Sequence, residues 1–230
     1  MDKANVLLLH GAVGATKQFA QLVPLLAERY RIHILDFEGH GAEPGRERPY
    51  RMEYFVGNVS YYLEQNSIEQ THIFGYSMGG YVACLLALKY PDSVQSIATL
   101  GTRFRWDPEV AAREAGMLDT EKIKAKVPHF AAILKERHSA SGWENVVNST
   151  REMLLALGEA GGLEPGDLAH LAQPVRIMIG DRDTTVSVEE SHEMYRALTK
   201  GQLEVLPGTR HELERVSLDR LAFSLQEFFG

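Results

Sequence analysis

A single cysteine, Cys84, rules out any disulfide within the chain, and a lone thiol fits a reducing compartment. Long apolar runs are also missing. No stretch approaches the roughly 18 residues that a bilayer span requires. The four apolar residues from Val6 to Leu9 are too few for the core of a secretory signal. Positive charge is in deficit, with 24 Lys and Arg against 31 Asp and Glu, a net charge of −7. That balance disfavours non-specific nucleic-acid binding and supplies no polybasic patch for anionic lipid. No His, Cys or Asp cluster has metal-ligand spacing, and Gly11-Ala12-Val13-Gly14 lacks the Lys-Ser/Thr ending of a phosphate loop. Internal repeats and low-complexity tracts are absent too. The expectation is a cytoplasmic protein without nucleic-acid or membrane partner, metal or cofactor.

What is present is an alternation of short apolar runs with longer amphipathic segments. Strands are expected at Val6–Leu9, Ile32–Phe37, Thr71–Tyr76, Val94–Gly101, Val175–Ile179 and Leu203–Leu206. Helices are expected at about 16–29 (Thr16 as N-cap), 51–66, 78–90, 188–198 and 211–229. This order implies a parallel sheet with right-handed crossovers and helices on both faces. Residues 103–170 break the rhythm: they hold only helical pieces, near 108–114, 119–137, 143–157 and 167–171. The chain thus divides into a core of 1–102 and 171–230 and a helical insert of 103–170. A long insert with its own helices usually covers a site.

Gly75-Tyr76-Ser77-Met78-Gly79 lies where the third strand turns into a helix. A serine on so sharp a corner is lifted above the sheet, and its neighbours two residues away must be small for the chain to double back. The first N–H groups of the helix then lie beside the hydroxyl, where negative charge is favoured. A Gly-rich turn could hold a serine for no chemical reason. A serine hydroxyl that reacts needs a base, and nine histidines are available. His211 follows the sixth strand and Asp183 the fifth, both on the sheet edge that carries Ser77. Singly, His211 is an ordinary loop histidine and Asp183 an ordinary helix cap. Together, in the chain order Ser, Asp, His, they match the elbow-bearing class of hydrolases. Asp181 is a weaker rival for the acid. Met78 and Ala12 are the expected backbone donors to an oxyanion. His10 reads as a residue that staples its own loop, His40 as a loop-fixing residue between two glycines, and Cys84 as a small core hydrophobe.

LLLHGA, LDFEGHG, GYSMGG, IGDRDTTV and GTRHE, in that order along nearly the whole chain, resemble the α/β-hydrolase superfamily. The resemblance implies a three-layer α/β-hydrolase fold with a mostly parallel sheet, here reduced to six strands because little precedes the first HG-bearing strand. It implies Ser77 as nucleophile, His211 as general base, Asp183 as its orienting acid, Ala12 and Met78 as oxyanion donors, and 103–170 as the cap. Relatives often carry an aromatic at the Ala12 position, so a methyl there makes the acyl side roomier. Haloalkane dehalogenases and epoxide hydrolases of the superfamily use Asp as nucleophile, which Ser77 argues against. The expected activity is a serine hydrolase cleaving an ester or other activated acyl bond of a small molecule. The alternatives are a C–C lyase or hydrolase of the menaquinone-pathway type, or a non-catalytic binder of a small ligand. Arg103 and Trp143 are candidate substrate contacts: Arg103 for a carboxylate, unless it merely flanks a buried aromatic in solvent, and Trp143 unless it packs the cap.

Overall fold

A computed structural model describes residues 3–230. Six strands, β1 (Asn5–Leu9), β2 (Arg31–Leu35), β3 (Thr71–Tyr76), β4 (Val94–Leu100), β5 (Val175–Gly180) and β6 (Gly201–Leu206), form one sheet in the order β2-β1-β3-β4-β5-β6. Every pairing is parallel. The strand order runs one way from β1 to β2 and the other way from β3 onward. Neighbouring crossovers therefore leave in opposite directions between β1 and β3, opening a crevice at their C-terminal ends, where ligands bind in such sheets. The register pairs Leu9 with Gly75, Gly75 with Thr99 and Gly180 with Leu206, so the loops after these strands emerge on one edge.

The central strands β1, β3, β4 and β5 are buried because both faces of the sheet are covered there, whereas the edge strands β2 and β6 stay partly exposed. Leu7, Leu9, Ile73, Ile97 and Ile177 share one core with α2 (Met52–Gln65), α3 (Met78–Lys89) and α9 (Val188–Ala197). Their neighbours Val6, Leu8, Phe74, Ala98 and Met178 share the other with α1 (Leu22–Ala27) and α10 (Leu218–Phe229). The result is the three-layer α/β-hydrolase architecture. Cys84 is fully buried in α3, where burial pushes its thiol up to about 12, in keeping with a core position.

Between β4 and β5 lie α4 (Pro108–Met117), α5 (Thr120–Lys126), α6 (Pro128–Arg137), α7 (Trp143–Ala160) and the short α8 (Pro165–Leu168). Asp107 caps α4 by accepting from Val110 N–H, and Asp119 caps α5 by accepting from Glu121 and Lys122 N–H. Three helix expectations need correction. The segment 119–137 is two helices, because Pro128 forces Val127 out of helical backbone. The segment 16–29 is a 3₁₀ turn (Thr16–Phe19) followed by α1; Pro24 can neither donate to the carbonyl of Ala20 nor avoid it, so no helix runs through. Thr16 is not the cap there: that position is Ala15, and Thr16 N–H instead donates to Asp36 at 2.7 Å. The last helix begins at Leu218, which leaves His211 in a loop. Among the described residues no helix is long and apolar enough to cross a membrane.

Candidate active site

Ser77 joins β3 to α3 with φ 50° and ψ −116°, a strained backbone that costs a side-chain-bearing residue on the order of 1–3 kcal/mol. The strain is held by the surrounding fold. Ser77 N–H donates to Leu100 O at 2.8 Å, and the Thr102 hydroxyl donates to Ser77 O at 2.9 Å. The flanking glycines are sterically required: a Cβ on Gly75 would lie 2.4 Å from the Gly80 backbone, and one on Gly79 would lie 2.2 Å from Leu9 O. Met78 is the first residue of α3, so its N–H has no intrahelical acceptor.

His211 and Asp183 meet on the same edge. His211 Nδ1–H donates to Asp183 Oδ2 at 2.7 Å. The Asp183 carboxylate is 1% exposed and the imidazole 18%. Oδ1 of Asp183 accepts from Thr185 N–H at 2.8 Å and from Val186 N–H at 2.9 Å. The turn after β5 thus grips one carboxylate oxygen and presents the other to the ring. With Nδ1 protonated, the neutral imidazole keeps its lone pair on Nε2. Asp181 is exposed and its backbone N–H bonds to Leu206 O; the acid that contacts His211 is Asp183. Ser77 and His211 border a single cavity, with no hydrogen bond joining them among the described residues. Gaps of this kind are common without substrate and close in the reactive complex.

Ala12, in the loop after β1, borders the same cavity. Its neighbour Val13 has φ 49°, and Gly14 N–H donates to Gly11 O at 3.0 Å. Three buried histidines brace this loop. His10 donates from Nδ1 to Gly11 O at 2.8 Å and accepts Phe37 N–H at Nε2, 3.2 Å away. His138, at the end of α6, donates from Nε2 to Val13 O at 2.9 Å and accepts Gly41 N–H at 3.0 Å. His40 lies between them, its ring 5.2 Å from His10 and 5.7 Å from His138. Burial pushes His10 down to about 3, His138 down to about 4, and His40 well below its ordinary value.

These three rings are neutral in the fold, whereas each titrates near 6.5 in an unfolded chain. Below that pH the unfolded chain binds more protons, so their contribution is complete above about 6.5 and is lost as pH falls toward 4. Each histidine adds up to about 1.4 kcal/mol per pH unit to that slope. Glu190, raised by burial, opposes the trend. Urea unfolding midpoints should therefore fall steeply between pH 6.5 and 4.5; a flat profile there would show that the cluster is not held neutral.

The cavity has a volume of about 300 Å³, at the low end for small-molecule pockets. Ala12, Ser77, Met78 and His211 line it, and Met52, Tyr81, Leu118, Phe130 and Leu154 contribute apolar surface. Arg103 also borders it, with a guanidinium already engaged. It pairs with Glu190 at 2.9 Å and Glu114 at 3.5 Å, and donates to Thr185 O. Arg103 is 9% exposed and Glu114 8%, so neither a free substrate clamp nor a solvated arginine describes it. Trp143 lies elsewhere, in an apolar cluster with Val13, Ile123, Leu134, Val146 and Val147; it is not among the cavity's lining residues. The partners Glu114, Glu190 and His138 were not singled out from sequence, where charged and polar positions in amphipathic helices look solvent-facing. Among the described residues no group of three or more His, Cys, Asp or Glu side chains is placed to hold a metal ion.

The family model described as alpha/beta hydrolase fold matches residues 4–157. The chain belongs to the α/β-hydrolase family. The pimeloyl-acyl-carrier-protein methyl ester esterase of Chromobacterium violaceum is 31% identical to this α/β-hydrolase over 227 residues, covering 90% of this chain and 87% of that one. The esterase of the same name from Aeromonas hydrophila is 32% identical over 165 residues, 67% of this chain and 61% of that protein. The chain thus spans less than two thirds of that relative's length, and smaller shares of several others. Among solved structures, the enol-lactonase of Burkholderia xenovorans superposes with a TM-score of 0.80 at 18% identity, over 100% of this chain and 92% of that one. The 2-hydroxy-6-oxo-6-phenylhexa-2,4-dienoate hydrolase of a Rhodococcus strain gives 0.79 at 24% identity, over 99% and 90%. At such identities the likeness speaks for the fold.

Proposed function

We propose that this α/β-hydrolase is a cytoplasmic serine esterase acting on a small, uncharged acyl ester, with residues 103–170 as its cap. The observation that carries this reading is the Asp183–His211 hydrogen bond at the wall of the cavity that also holds Ser77 on its strained elbow. His211 Nε2 takes the Ser77 proton as Oγ attacks the ester carbonyl. The tetrahedral oxyanion is held by the N–H groups of Ala12 and Met78. Imidazolium then protonates the departing alcohol. Water, deprotonated by the same nitrogen, releases the acid from the acyl-serine. The esterases among the relatives support an ester as substrate.

The choice of an uncharged acyl group rests on the cavity wall. The one arginine among its described lining residues is Arg103, and that arginine is neutralised by Glu114 and Glu190. A carboxylated diketone, as the C–C hydrolase or lyase alternative would need, finds no free cation there and meets the buried acid Glu114. The test is a panel of short p-nitrophenyl and methyl esters beside carboxylated 1,5-diketones. Turnover of the neutral esters is expected. Cleavage or elimination of the carboxylated substrates, with the esters left intact, would give the site to the alternative.

A further inference from the structure

We propose that Arg103 is a positioning residue for the base: it holds the turn that holds Asp183, and through it the imidazole of His211. The proposal rests on the esterase reading above and adds a residue to its machinery.

The chain of contacts is continuous. Arg103 leaves the C-terminal end of β4 and donates through Nη2 to the carbonyl of Thr185. The N–H of that same Thr185 donates to Asp183 Oδ1 at 2.8 Å, with Val186 N–H beside it at 2.9 Å. The other carboxylate oxygen, Oδ2, accepts from His211 Nδ1 at 2.7 Å. One residue of turn therefore separates the guanidinium from the groups that orient the acid. The guanidinium is itself fixed from two further elements, by Glu190 of α9 through Nη1 at 2.9 Å and by Glu114 of α4 at 3.5 Å.

A planar fork is needed for this arrangement. Arginine can direct parallel N–H groups at a carboxylate and a carbonyl together, whereas a lysine ammonium is a compact charge on a flexible stem. Two largely buried carboxylates, from α4 and α9, pair with this guanidinium, Glu114 being shared with Arg113 at 3.4 Å; a cation so engaged is poorly suited to attract an anionic substrate. Its remaining use is mechanical. It ties the first turn of α9, the cap helix α4 and the Asp183 turn to the end of β4, from which the Ser77 backbone is also held through Leu100 O.

The test is Arg103→Lys, which keeps the charge between the two acids, with a second variant, Arg103→Met/Glu114→Gln/Glu190→Gln, which removes all three charges. Neither can present the two paired N–H groups that hold Glu190 and Thr185 O together. For neutral p-nitrophenyl esters, both should lower kcat by about tenfold to a hundredfold, the scale set by a misplaced catalytic group. KM should stay within about twofold for neutral and anionic esters alike, as expected when only transition-state geometry is lost. A far-downfield proton signal from His211 Nδ1–H is expected in the wild type and should broaden in both variants. A kcat within about twofold of wild type in either folded variant overturns the assignment. So does a rise in KM confined to anionic esters, which would make Arg103 a substrate ligand. Ser77→Ala, measured in parallel, separates the two levels: full activity in that variant removes the esterase reading, whereas an inactive Ser77→Ala beside an unaffected Arg103→Lys removes the positioning role alone.

Discussion

Ser77→Ala should lower kcat for a short p-nitrophenyl ester by about 10⁴-fold or more while leaving KM and thermal stability nearly unchanged. The size of the loss follows from what is removed. Without Oγ there is no acyl-enzyme, and only the oxyanion donors and substrate binding remain to assist water. Stability is spared because the contacts that hold the elbow are made by the backbone of residue 77, not by its side chain. Its N–H bonds to Leu100 O, and its carbonyl accepts from Thr102 and Gly80. An alanine adopts the same positive φ at comparable strain, so the change in stability should stay within roughly 0.5 kcal/mol. A steady-state assay paired with a thermal melt checks both halves. Retained turnover would exclude this serine as the nucleophile.

Asp183→Asn carries the second-largest expected effect, a fall in kcat of about 10⁴-fold at neutral pH. The argument is geometric. Thr185 and Val186 N–H both point at Oδ1 of residue 183. Those donors will select the amide oxygen of an asparagine, which turns the amide NH₂ toward His211 Nδ1. A ring nitrogen that accepts from NH₂ cannot carry a proton, so the proton moves to Nε2 and the base is lost. The wrong tautomer results with almost no change in shape. Asp181→Asn is the control, because its side chain is exposed and is not the acid in contact with the imidazole. Reversal of the two outcomes, with Asp181→Asn inactive and Asp183→Asn active, would place the orienting acid at the nearer position.

Legibility in the sequence divided along physical lines. The sheet was readable because its central strands are covered on both faces and appear as apolar runs, as in Val6-Leu7-Leu8-Leu9, while the edge strands β2 and β6 stay partly exposed yet keep apolar residues. The elbow was readable because its constraint is local: backbone at Gly80 and Leu9 approaches too closely for Cβ atoms at residues 75 and 79. Asp183 and His211 could be placed on one edge because parallel strands align their C-terminal ends, and the structure brings the two side chains into contact. Helix boundaries were readable only where proline was given its full weight; Pro24 and Pro128 each sit in the first turn of a new helix and break a run that periodicity alone would continue. The engagement of Arg103 was not readable. Its partners lie on α4 and α9, and buried carboxylates on amphipathic helices carry no local mark that separates them from solvated ones. His138 was equally silent, because its role depends on α6 packing over the loop after β1. The apolar packing of Trp143 against Val13 is a contact of the same long-range kind.

Reaction with a fluorophosphonate, read by intact mass and peptide mapping, addresses the nucleophile most directly. A phosphonyl serine forms only where a hydroxyl, a base and oxyanion donors converge, and it distinguishes a competent enzyme from a hydrolase-fold binding protein. The wild-type protein should gain one adduct per chain, located on Ser77, and His211→Gln should slow its formation by orders of magnitude. A folded protein that stays unlabelled, or that carries the adduct on another residue, would contradict Ser77 as the catalytic nucleophile.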